Sequence, residues 1–496
     1  MKVDRNLTYK LLIGLAGIAF LAILGGCGTP PRIPEKPTGP VQAPKGAPRS
    51  YSTRTTDPNA LPIYYQFDWG DRASSAWRGP FPGDSAISDT HSFGSTGPML
   101  VRARAKNTKN ATSNWSDTLH VSVIAGDSTR RWLFQAKDPE DPEAILPFRG
   151  SVAASRDGGM LCAASDMGYL HFFDVNGSRR ANAFLTTDQE DFANSPSVAK
   201  DNRVLIGSDQ SQYAILFTGS LSWAVGIVPE RGLAATDDSG HIFFNGDDGM
   251  LHALTASGTA LWPPQHTGGG PASPAITADG SLVIIGGDDS LVHAFNAATG
   301  ETAWTVRTGD VVDGSPAIAS DGKIIIGSDD GMLRAIKPTG GDPTWTYAAN
   351  SPISTSPVIG QDEVIYVVSS NGVLHAVNAD GTGKWSMPLN CADVSSGAIT
   401  ASGILYLTAN FGGEDSLIAI ETSPVPATRF WGVAVPDMTV SDVECSPLIG
   451  ADGAVYVTSN ESDLGGVYCF WGKDGPASSS WPMFQHDASR SGKASQ

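Results

Sequence analysis

The chain has 496 residues, more than one ordinary core holds, so several domains or an array of repeats is expected. It carries 33 basic against 51 acidic residues, formally −18, which excludes the basic footprint of a nucleic-acid binder. With 56 glycines, 17% charged residues and no sustained helical period beyond the N-terminus, the composition suits many short strands joined by tight turns.

The first element is a targeting segment. Lys2, Arg5 and Lys10 make a basic start, and Leu11 to Leu24 is an apolar run of fourteen residues. That is short for a membrane span, which needs about 20 residues, and suits a signal peptide. Leu24-Gly25-Gly26-Cys27 then resembles the bacterial lipobox. The resemblance implies cleavage after residue 26, acylation of Cys27 and tethering to the cell envelope. Gly28, where the sorting rule would place Asp for inner-membrane retention, points to the outer membrane. Removing residues 1–26 takes away three basic residues and Asp4, leaving 30 basic and 50 acidic residues, formally −20. Such a surface keeps a tethered protein soluble and off anionic lipid.

Residues 27–36 are proline-rich and predict a stiff, extended spacer. A small β-module is expected over 37–125. Val101, Ala103 and Ala105 alternate with Arg102, Arg104 and Lys106, the pattern of a half-buried strand. The stretch YYQFDWGD at 64–71, and Trp115-Ser116 followed by LHVSVI, resemble polycystic-kidney-disease-type (PKD) or fibronectin-type β-sandwiches. The resemblance implies a spacer or interaction module. Asp68 and Asp71 are expected to bond turn N–H groups, not a metal.

From Ser151 to Phe470 the chain repeats itself. Asp247, Asp288 and Asp329 open equivalent turns 41 residues apart, and Trp262, Trp304, Trp345 and Trp385 recur at intervals of 42, 41 and 40. Ser-Pro opens units at 195, 273, 315, 356 and 446. Each unit reads as four strands with hairpin turns, the signature of a propeller blade. Eight units can be counted, giving an all-β chain: an eight-bladed β-propeller of four-stranded blades over 126–496, preceded by the Ig-like sandwich. Arg130 to Ala136, with Trp132 in the fourth-strand role, completes the last blade; alternatively Trp481 takes that place.

The Ser-Pro-Ala-Ile start, the GSDDG turn and the fourth-strand Trp are similar to the pyrroloquinoline-quinone-type propeller repeat. The architecture resembles the propeller lipoprotein family of the outer-membrane barrel-assembly machinery. That resemblance implies non-enzymatic scaffolding through loop faces, with an unidentified envelope protein or a glycan as partner, a membrane contact through the lipid anchor, and no nucleic acid.

The residues give the enzyme reading little to stand on. Quinone dehydrogenases of this superfamily carry adjacent cysteines, a calcium site and an axial carboxylate. This chain has no Cys-Cys pair, and its Asp doublets recur around the ring, as a structural feature does. No catalytic residue, cofactor or metal ligand is therefore expected. His171, His252, His293 and His375 occupy one place in the third strand of different units, with Arg334 in that place in another. Spokes of a ring lie too far apart to share one ion, so these side chains are expected to pack between blades. Cys162, Cys391, Cys445 and Cys469 lack metal-type spacing and read as free thiols. The C-terminal WPMFQHDASRSG, 481–492, is expected to pin the ring. Quinone- or calcium-dependent dehydrogenation and glycan binding at the cell surface remain the alternative functions.

Overall fold

The computed structural model describes residues 28–494, except 40–41, 45–47, 96, 125–129, 138–143, 185–191, 193, 392, 412–413, 424–427, 435–445, 460–464 and 488–489. Cys27, Cys445 and the apolar run 11–24 lie outside the described residues. Among the described residues, no helix is long and apolar enough to cross a membrane. The chain divides into two compact units, Met1–Thr129 and Arg130–Gln496.

The first unit contains β1 (Gln42–Pro44), β2 (Pro48–Thr53), β3 (Ile63–Asp68), β4 (Arg78–Phe81), β5 (Ile87–Ser92), β6 (Gly97–Asn107) and β7 (Leu119–Ile124). One sheet has the order β1-β7-β6-β3-β4, and β2 pairs with β5 in a second. The alternation in β6 is realised: Val101, Ala103 and Ala105 are fully buried against Tyr51, Phe67 and Trp69. Asp68 and Asp71 accept from the N–H groups of Gly70 and Ala73 at 3.2 and 3.1 Å, as turn carboxylates do.

The described part of the proline-rich segment, from residue 28, is extended and runs beside β2. Pro31, Pro34 and Pro37 are buried while the residues between them are exposed, the three-residue period of a polyproline II helix. The N–H groups of Arg32 and Glu35 donate to the carbonyls of Thr56 and Arg54 at 2.9 and 3.0 Å. Proline rigidity lowers the entropy cost of laying this segment along the module, so it becomes part of the module's wall.

The second unit begins with β8 (Arg130–Phe134). Its described residues form eight four-stranded antiparallel sheets, spanning 148–184, 197–225, 235–266, 275–307, 317–348, 358–388, 398–434 and 448–471. In each of the first seven, four consecutive strands lie in sequence order. The last takes its fourth strand from β8, with Cys469 opposite Trp132. This decides between the two expected closures in favour of Trp132. Joining the start of the unit to its end leaves no sheet edge open at the seam.

Neighbouring sheets are locked by one device. The indole N–H of Trp262 in the third sheet donates to the Ala297 carbonyl of the fourth at 3.1 Å. Its ring lies so close to Gly300 that an added Cβ would sit 2.6 Å from it. The same indole-to-turn bond joins Trp132 to Val175, Trp223 to Ala256, Trp304 to Pro338 and Trp345 to Ala379, at 2.8–3.0 Å. A glycine with positive φ sits under each ring because no other residue leaves room. The recurring Trp is thus a wedge between sheets.

Candidate binding face of the second unit

The innermost strands begin at the Ser-Pro positions, and these serines form a relay around the axis. Backbone N–H groups donate to the hydroxyl of the next unit's serine in two runs: Ser273 to Ser315, Ser315 to Ser356, and Ser356 to Ser396, all at 2.9 Å, with Leu233 of the third sheet donating to Ser273. Ser446 donates to Ser151 at 2.9 Å, and Ser151 to Ser195 at 2.7 Å, which carries the relay across the seam.

The opposite ends of the same strands receive the C-terminal tail. The N–H groups of Ile359 and Ile399 donate to the carbonyls of Trp481 and Pro482 at 2.7 and 2.8 Å. Farther round the ring, Thr236 and Ile276 donate to Ser491 and Gly492 at 2.9 and 2.7 Å. Trp481, Phe484 and Arg490 are buried. The Arg490 guanidinium donates to the carbonyls of Val152 and Ser446, both at 2.8 Å, tying the first sheet to the approach of the last. The tail therefore lies across this end of the axis and bonds residues of five of the eight sheets and of the approach to the last.

Antiparallel alternation fixes what lies at each end. Turns between first and second strands surround the tail. Turns between second and third strands emerge at the other end, beside the connections that lead into the Ser-Pro starts. That end, open among the described residues, carries Asp166, Asp209, Asp247, Asp248, Asp288, Asp289, Asp329 and Asp330 in its turns and Asp310, Asp313 and Asp393 in its connections; the turns around the tail are acidic too, with Asp157, Asp201, Asp238 and Asp279 among them. Burial, with Asp289 alongside, pushes the Asp288 carboxyl above its usual range. Burial, Asp310 and Asp330 do the same to Asp329. Burial would raise Asp330 too, but its bonds to Arg334 and to the Gly309 and Met332 N–H groups hold it low.

The histidines lie in the third strands of four different sheets. His252 and His293 bond the second Asp of their own turns, Asp248 and Asp289, each at 3.0 Å. Arg334 makes the corresponding pair with Asp330. His171 bonds the Ser165 hydroxyl at 2.8 Å, and His375 bonds Ser369 and Tyr347, both at 3.0 Å. These side chains brace the turns of the open end. Among the described residues, no three His, Cys, Asp or Glu side chains come together as metal ligands. Cys162 and Cys469 are buried free thiols.

A cavity of about 380 Å³ lies at the tail end of the seam, lined in part by Arg156, Asp157, Asp452, Tyr456 and Asp487. Its charges are engaged within the wall: Arg131 pairs with Asp452 at 2.5 Å and Arg156 with Asp487 at 3.4 Å.

Sequence reasoning assigned the tail only a pinning role and missed that it lies across the axis. The signal available was a run with Trp481, Met483 and Phe484 after every strand had been placed. The serine relay was also missed, although the Ser-Pro spacing marked five of its members, all but Ser151 and Ser396.

Residues 288–470 match a family model described as outer membrane protein assembly factor BamB. The crystal structure of BamB from Moraxella catarrhalis is similar over 68% of this chain and 97% of its own, at 17% identity and a TM-score of 0.51. The PKD domain of an M14-like peptidase from Thermoplasmatales archaeon SCGC AB-540-F20 is 36% identical over 20% of this chain and 98% of its own, with a TM-score of 0.19. No curated protein matches the chain. The repeat of the second unit is the BamB-like, pyrroloquinoline-quinone-type propeller repeat, and its sheets are arranged as the blades of that fold.

Proposed function

We propose that this chain is a lipid-anchored, non-enzymatic scaffold of the bacterial cell envelope that binds a protein partner through the open, acidic loop face of an eight-bladed propeller. The observation that carries this reading is the asymmetry of the axis. One end is crossed by the chain's own tail, whereas the other presents turns and connections whose carboxylates suit a basic partner surface. The eight four-stranded sheets support the blade count.

The similarity to BamB favours a partner in outer-membrane protein assembly. In this reading residues 1–26 are a signal peptide, Cys27 carries the lipid, and 27–36 link it to the module over 37–125. A Cys27→Ala chain should take up no palmitate and should leave the membrane fraction. Photo-crosslinkers at Asp310, on the open face, and Asp238, beside the tail, test the binding face in intact cells. Capture of barrel-assembly components from position 310 and not from 238 is expected. Capture from 238 alone, or of polysaccharide alone, would overturn the reading.

A further inference from the structure

The outward face of the first unit carries an alternating stack of cations and aromatic rings. The Arg102 guanidinium lies 4.9 Å from the centre of the Trp115 ring, and Arg104 lies 4.4 Å from that ring and 5.4 Å from Trp77. The Lys106 ammonium is 4.7 Å from Trp77 and 5.5 Å from Tyr64. The three cations are alternate residues of β6, so they stand about 7 Å apart along a straight strand. Gln66 on β3 fixes the middle one, its Oε1 accepting from Arg104 Nε and Nη2 at 3.0 and 2.7 Å.

The charge of this stack is unbalanced. Arg102 is paired with Asp68 at 2.9 Å. Arg104 and Lys106 meet no carboxylate within ion-pair distance among the described residues. Other cations of the chain do sit on carboxylates, as Arg54 does on Glu35, Arg78 on Asp89 and Lys384 on Asp362. Arg104 and Lys106 are neighbours on one strand face, so their two charges add in a chain of formal charge −18.

The ring faces are taken up by the cations, so ring edges are what remain for a ligand. An aromatic edge is the positive part of its quadrupole. The exposed rim of the stack is thus electropositive throughout, and stacking has already restricted the long side chains, which lowers the entropy cost of binding.

We infer that this rim, centred on Arg104 and Lys106, is a binding site for an acidic glycan, a stiff chain bearing carboxylates at short intervals. Two uncompensated charges fall short of the four to eight clustered cations that an anionic bilayer needs. A flexible acidic peptide would lose more chain entropy on lying along the strand. This site is independent of the propeller face.

The test is affinity electrophoresis of the full chain in detergent, through gels containing polygalacturonate or neutral dextran. Retardation by polygalacturonate alone is expected, weakening at least about tenfold in Arg104→Gln/Lys106→Gln and falling with added salt. Lys106→Glu, at the end of the stack, is the second variant should the double one unfold; it should abolish retardation with an unchanged near-UV spectrum. Unchanged retardation in a folded variant would overturn the site, as would binding to polyglutamate or to phosphatidylglycerol vesicles as tight as to the glycan.

Discussion

The backbone N–H of Ser446 donates to the hydroxyl of Ser151 at 2.9 Å, although 295 residues separate them. Beside this bond, the Thr458 hydroxyl donates to the Gly150 carbonyl. The last sheet is thereby fastened to the first on its inner strand, while β8 fastens it on its outer strand. Ser151→Ala leaves the buried Ser446 N–H without its acceptor. The expected loss is about 1–3 kcal/mol, read as a lower urea midpoint.

Gly300 and Gly280 separate two costs. Both have positive φ, +74° and +72°, but a Cβ at 300 would strike Trp262 whereas one at 280 meets nothing within 4 Å. Gly280→Ala should lose only the left-handed penalty, about 1 kcal/mol. Gly300→Ala should lose about 2–4 kcal/mol, because the wedge must move as well. Equal shifts in thermal midpoint would show that the Trp contact contributes nothing.

Arg490 is the deepest pin of the tail. Arg490→Met removes charge-assisted bonds to two buried carbonyls and should lose about 2–4 kcal/mol. Arg490→Lys should recover little, since an ammonium cannot span both carbonyls as the planar fork does. Limited proteolysis should release the tail faster in both variants than in the parent chain.

Burial, with Arg179 nearby, pushes the His171 pKa down to about 3. An unfolded histidine titrates near 6.5. The native state therefore binds fewer protons than the unfolded state between these limits. The contribution to stability is intact above about pH 6.5 and is lost as pH falls towards 3, at up to about 1.4 kcal/mol per pH unit. His171→Gln should remove that slope, and urea midpoints between pH 7 and pH 5 would measure it.

The repeat was legible because its local signals all agree. Asp-Gly turns, β-branched second strands and a Trp every forty residues or so each act within one hairpin, and a hairpin is decided by neighbours in sequence. The half-buried face of β6 was legible for the same reason: the period of two is written in residues 101–106. The proline-rich stretch was legible only in its backbone shape, since proline fixes the shape of a segment and says nothing of what it lies against.

The sequence by itself determined the strands, their turns and the wedge positions, all set by interactions within about forty residues. Only the tertiary structure decided that Trp132 and not Trp481 completes the last sheet, that the tail lies across the axis, and that Arg104 stacks between Trp77 and Trp115. These depend on which distant segments share space once the chain has closed. Composition is blind to that choice, because any buried donor can donate to any carbonyl and any cation suits any ring that packing brings within reach.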